Sequence, residues 1–194
     1  MEIKAHYSEI GKISQGTDSL LCEIFCGIVE KTGKGNGKME HGTKADALFR
    51  QGYNCAQASF GAFAEETGLD RETALRLASS FGGGLGRLRE VCGALAGIEM
   101  AAGCLYGYDT PETGEVKKEH YARVQALAER FRREFGSILC REILTGADAS
   151  PNPTPRTEEF YKNRPCLRCV TRAAEILEEY MKENPPKCGQ EETK

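Results

Sequence analysis

The chain has 194 residues, 26 Lys+Arg against 29 Asp+Glu, a net charge of −3 and nine cysteines. That length predicts one globular domain with short extensions, and the near-neutral charge leaves no electrostatic footprint for nucleic acid or an anionic membrane. Nine cysteines fall short of a secreted disulfide scaffold, roughly 8–10% of a short chain, and an odd number leaves at least one thiol unpaired.

In chain order, Met1 to Gly16 is mostly polar. The first apolar run, Ser19 to Val29, carries Glu23 and is not followed by a small-residue cleavage site. The expectation is a cytoplasmic chain without a secretory leader and without the ~20 apolar residues of a membrane span. Leu20, Leu21, Ile24, Phe25, Ile28 and Val29 share a helix face behind Asp18. Lys31 to Lys38 is a flexible linker rich in glycine and lysine. Residues 1–43 therefore read as a helical arm with a linker, 44–184 as the domain, and 185–194 as a polar tail.

Within the domain, the spacing of Ala45, Leu48, Phe49, Cys55, Phe60 and Phe63 predicts a helix from about Lys44 to Glu66. Gly52 inside it costs about 1 kcal/mol relative to Ala and marks a candidate break. Gly68 ends this helix, and Asp70 is the expected N-cap of the next, with Leu75, Leu77 and Ala78. The loop Phe81 to Arg87, with four glycines in five positions, feeds a small-residue helix, Val91 to Tyr106. On it Gly93, Gly97 and Ala101 sit four apart, a spacing that lets another helix come close. Pro111 opens the longest predicted helix, with Tyr121, Val124, Leu127, Ala128, Phe131, Phe135, Ile138 and Leu139 as its core stripe, a kink at Gly136–Ser137 and a cap at Gly146. The prolines at 151, 153 and 155 make an extended loop, and a last helix runs from Cys166 to Met181. No stretch alternates as a strand. The fold class is all-α, a bundle of five or six helices with short connections.

The glycine loop fails as a dinucleotide fingerprint, because Arg87 stands where a third glycine belongs and no strand precedes it. Phosphate binding there, with Arg87 and Arg89, is the weaker reading beside a tight turn. Hydrolysis lacks a base: His6, His41 and His120 each read as surface residues, and there is no H-E-x-x-H. The chemistry then falls to the cysteines. Cys92 and Cys166 stand at predicted helix starts and Cys55 just after the break, positions that favour thiolate. Cys140, late in its predicted helix, has less of that support. Cys166 and Cys169 form a C-x-x-C that suits a dithiol couple or two metal ligands, and Val170 excludes haem attachment. Cys104 reads as a small buried hydrophobe, Cys22 and Cys26 as helix packing, and Cys188 as incidental.

Asn54-Cys55-Ala56-Gln57-Ala58, Phe81-Gly82-Gly83-Gly84, Val91-Cys92-Gly93-Ala94-Leu95-Ala96-Gly97, Phe135 to Glu142 around Cys140, and Cys166 before Val170 together resemble the C_GCAxxG_C_C family of redox-active proteins. The resemblance spans roughly residues 44 to 181. It implies Cys55, Cys92, Cys140 and Cys166 as the family cysteines, with Cys169 additional. That family also resembles part of the split-Soret cytochromes, which hold haem and an iron–sulfur cluster, and only the cluster could carry over here. The preferred expectation is a redox protein whose four cysteines converge on an iron–sulfur cluster, [2Fe–2S], serving an unknown redox partner protein. Two alternatives stay open. One is a metal-free thiol/disulfide couple, Cys166–Cys169 or Cys55–Cys92. The other is a structural zinc module or helical adaptor. The small-residue helix and the arm point to a homodimer.

Overall fold

Eight α-helices and one 3-10 turn carry the described residues, which in this computed structural model are 39–111, 114–146 and 152–186. The arm helix, its linker, Cys22, Cys26 and Cys188 lie outside the described residues. We label the helices α1 Glu40–Arg50, α2 Cys55–Gly61, α3 Arg71–Ala78, α4 Gly93–Tyr106, α5 Glu115–Phe135, α6 Cys140–Ile143, α7 Glu158–Asn163 and α8 Cys166–Glu183, with the 3-10 turn at Ser79–Phe81. The all-α expectation holds. The only strand-like pairing among the described residues is an isolated antiparallel bridge between Val91 and Leu139.

The core forms where α1 lies on α8 and α2, α2 lies on α4 and α8, and α5 covers α8 and α4. Phe49, Phe60, Phe63, Leu95, Ile98, Leu127, Phe131, Val170, Ile176 and Leu177 are fully buried there. Each such side chain contributes about 1.5–3 kcal/mol relative to exposure. The close packing of α2 on α4 rests on glycine. A Cβ at Gly97 would stand 2.6 Å from the Ala56 carbonyl oxygen, and one at Gly93 would stand 2.8 Å from that of Phe81. The small-residue face read from the sequence thus serves contact within the chain.

Several helix boundaries differ from expectation. The helix expected from Lys44 to Glu66 is two helices, because the chain turns at Gln51–Gly52, where Gly52 has φ +100°. Asp70 caps α3 as expected, accepting from the Thr73 N–H at 2.9 Å. The long helix stops at Phe135, where Gly136 adopts the left-handed conformation. Its predicted stripe is accordingly shorter: Leu127 and Phe131 are buried, Tyr121 is exposed, and Ile138 and Leu139 lie beyond the helix end. No described helix is long and apolar enough to cross a membrane.

His41 is a correction. It is buried, not on the surface. Its Nδ1 lies 3.0 Å from Glu178 Oε2 and its Nε2 2.7 Å from Glu66 Oε1, with the ring stacked on Phe63 at 4.3 Å. Burial disfavours the imidazolium, but the two carboxylates outweigh it and raise the His41 pKa. The motif around it carried no signal of this, because its partners come from the turn after α2 and from α8. Cys104 is a second correction: it is exposed near the end of α4.

Candidate functional site

Four stretches of chain bring thiols together. The first is Asn54-Cys55-Ala56-Gln57. Asn54 Oδ1 accepts from the Ala56 and Gln57 N–H groups at 3.0 Å, and the Asn54 N–H donates to Gln57 Oε1 at 3.0 Å. This reciprocal cap satisfies donors that a helix start leaves open. Asn54 Nδ2 also donates to the Ser79 carbonyl at 2.8 Å, and Gln57 Nε2 to that of Leu75 at 3.0 Å. Cys55, at the first position of α2, is thereby anchored to the α3 end of the fold.

The second and third stretches are clasped to each other. The Cys92 N–H donates to the Ile138 carbonyl at 2.8 Å, the Cys140 N–H to that of Glu90 at 2.7 Å, and the Arg141 N–H to that of Arg89 at 3.1 Å. This short ladder sets Cys92 beside Cys140. Gly84 has φ +72°, and a Cβ there would stand 2.8 Å from Cys140 Cβ, so the loop passes the thiol only because that residue is glycine. Leu85, Arg87 and Arg89 also have positive φ, a conformation that costs about 1–3 kcal/mol per non-glycine residue. Cys140 is the first residue of its own one-turn helix rather than a late residue of a long one. Arg89 Nη1 donates to its sulfur at 3.9 Å. The fourth stretch, Pro165-Cys166-Leu167-Arg168-Cys169, opens α8.

All five cysteines line one cavity of about 210 Å³. Cys92, Cys140 and Cys169 are buried, and Cys55 and Cys166 are half-buried. Arg87, Arg89, Arg156 and Arg164 line it too, and no Asp, Glu or His does so among the described residues. Arg156 comes from the proline-rich loop, which carried no functional signal in the sequence.

The thiols meet in two pairs. The neighbouring Cys55 thiol lowers the Cys166 pKa to about 7 against the opposing effect of burial, helped by Arg164, Arg156 and Arg89. The same pairing and burial push Cys55 well up. The neighbouring Cys169 thiol lowers the Cys92 pKa, with help from the nearby Ala94 and Leu95 N–H groups at the start of α4, again against burial. Cys169 is correspondingly raised. Cys140 is raised by burial, with Arg89 opposing. Cys166 and Cys92 are thus the two thiols made more acidic, each beside one made less so. The pairs differ from the Cys166–Cys169 and Cys55–Cys92 couples expected for a metal-free dithiol protein. They join segments far apart in the chain.

Among the described residues, no group of three or more His, Cys, Asp or Glu side chains is gathered closely enough to hold a single metal ion. No curated protein and no solved structure matches the chain. The family model described as "Putative redox-active protein (C_GCAxxG_C_C)" matches residues 53–180, which contain all five cavity cysteines. With the match covering most of the chain, and the cysteines and glycines of its pattern assembled around one cavity, the protein belongs to the C_GCAxxG_C_C family of redox-active proteins.

Proposed function

We propose that the chain is an electron-transfer protein in which Cys55, Cys92, Cys140 and Cys166 hold an iron–sulfur cluster, most simply [2Fe–2S]. The observation that supports this reading is a carboxylate-free cavity to which separate chain segments each contribute a thiol. The donor set fits. It is all sulfur, and two of its members are more acidic than an ordinary thiol. When bound, such a cluster supplies one-electron transfer. The chain's own residues set its surroundings: Arg89 donates to the Cys140 sulfur, Cys92 stands at the start of α4, and Cys169 is a fifth thiol lining the same cavity. Hydrogen bonds to ligating sulfur and nearby positive charge both favour the reduced form.

The test is anaerobic purification followed by iron and acid-labile sulfide analysis with visible and paramagnetic resonance spectra. Iron and sulfide in equal, stoichiometric amounts are expected, and each of the four Cys→Ser variants should lose or alter the spectrum. Protein free of iron under those conditions refutes the reading.

One feature favours a second reading, the pairing of Cys55 with Cys166 and of Cys92 with Cys169 in one cavity. In it, the Cys166 thiolate and Cys55 thiol close to a disulfide, releasing one proton to solvent and passing two electrons to an oxidised partner. The Cys92–Cys169 pair can do the same. Metal-free protein whose free-thiol count falls in steps of two on oxidation selects this reading. Stoichiometric zinc without a redox response selects the structural module.

A further inference from the structure

The thiol cavity has a cationic side for which neither the family pattern nor the cysteines account. Arg164 Nη2 donates to Thr154 Oγ1 at 3.3 Å, and Arg87 Nη1 donates to the same oxygen at 3.1 Å. Two guanidinium groups therefore converge on one hydroxyl. A hydroxyl that accepts twice has used its lone pairs and must donate its own hydrogen elsewhere. Arg156 is fixed in place: Nη2 donates to the Tyr53 carbonyl at 3.1 Å, and the guanidinium lies 4.3 Å from the Phe49 ring centroid and 4.6 Å from that of Phe160. Its Nη1 is buried and has no hydrogen-bond acceptor among the described residues. A buried donor on a charged group left without an acceptor is costly. Neither Arg156 nor Arg164 has an ion-pair partner among the described residues. The same cavity receives the start of α8, 18 residues long, whose first turn has no side-chain cap. Its open N–H groups and dipole favour negative charge there.

We propose that Arg156, Arg164 and Thr154 form an oxyanion subsite beside Cys166, and that the protein's small-molecule reaction partner carries a carboxylate, phosphate or sulfonate group held there. The Thr154 hydroxyl donates to the anion, Arg156 Nη1 gains its missing acceptor, and the anion's charge lies against both arginines. The cavity, about 210 Å³, has room for an oxyanion head group with a few further atoms. The inference deepens the proposed function by placing the bound anion next to a working sulfur, but anion binding itself requires no cluster.

The test is calorimetric titration of the full-length, reduced chain with inorganic phosphate, and in parallel with acetate and methanesulfonate, against a chloride background. The expected result is saturable binding of at least one of these oxyanions, one per chain, weakened about tenfold or more in Arg164→Gln and in Thr154→Val, with Arg164→Lys intermediate. Thermal melting without ligand checks that the variants fold. Should Arg164→Gln unfold, Thr154→Val decides, since it keeps the side chain's shape. No saturable binding up to tens of millimolar, or equal affinity in wild type and variants, overturns the proposal. Iron content is measured on the same samples, so absence of a cluster and absence of anion binding are read separately.

Discussion

Replacing His41 by Phe should remove a buried ionic clamp while keeping the ring that stacks on Phe63. In the wild type, the imidazolium donates to Glu66 at 2.7 Å and to Glu178 at 3.0 Å, and the His41 N–H donates to Glu178 at 2.9 Å. The side chains of His41, Glu66 and Glu178 are 11%, 18% and 10% exposed, so solvent screens them little. Two charge-assisted hydrogen bonds contribute about 1.5–3 kcal/mol each, and removing one partner of a buried ionic group costs about 3–5 kcal/mol. The expected loss for His41→Phe is therefore about 3–5 kcal/mol near pH 6, measured by urea unfolding with an unchanged slope. The pH dependence has a definite sign. His41 is raised above 6.5 in the folded state, so its contribution is full below 6.5 and is lost as pH rises through the folded value. Glu66 and Glu178 are lowered below 4.5, so theirs is full above 4.5 and is lost as pH falls through the folded values. The clamp is strongest between about pH 4.5 and 6.5, and the gap between wild type and variant should narrow towards pH 9. A loss below about 1 kcal/mol, or parallel stability profiles from pH 6 to pH 9, would refute this account.

Three further outcomes follow from the site. In metal-free, reduced protein, alkylation of Cys166 by iodoacetamide should rise through about pH 7, and Cys55→Ala should move that midpoint upward because the neighbouring thiol is gone; mass spectrometry of the modified peptide against pH reads both. Asn54→Ala removes a cap and should cost about 0.5–2 kcal/mol, seen as a lower melting temperature, together with faster labelling of Cys55 as its turn loosens. Gly97→Val drives a side chain onto the Ala56 carbonyl and should cost about 1–3 kcal/mol or more, whereas Gly103→Ala on the same helix, with open space at its Cβ, should be stable; similar melting temperatures for the two would contradict the close α2–α4 packing.

The sequence by itself determined the helical class, the break at Gly52, the cap at Asp70 and the set of cysteines worth following. Those are local or near-local properties: periodicity of apolar residues, the backbone freedom of glycine, and side-chain oxygens next to the N–H groups they cap. It also showed the small-residue face of α4, but not what occupies it, since Gly97 leaves room for any helix and only the fold brings Ala56 there. The partnering of thiols was beyond it. Cys166 and Cys169 are neighbours in the chain, yet Cys166 meets Cys55 and Cys169 meets Cys92, because the start of α8 is held against two other helix starts at once. Likewise, nothing local distinguishes His41 from a surface histidine, or Arg156 from any arginine in a proline-rich loop. Burial, charge pairing and thiol acidity depend on which segments the core brings within a few ångströms of each other, and those distances exist only after the helices pack.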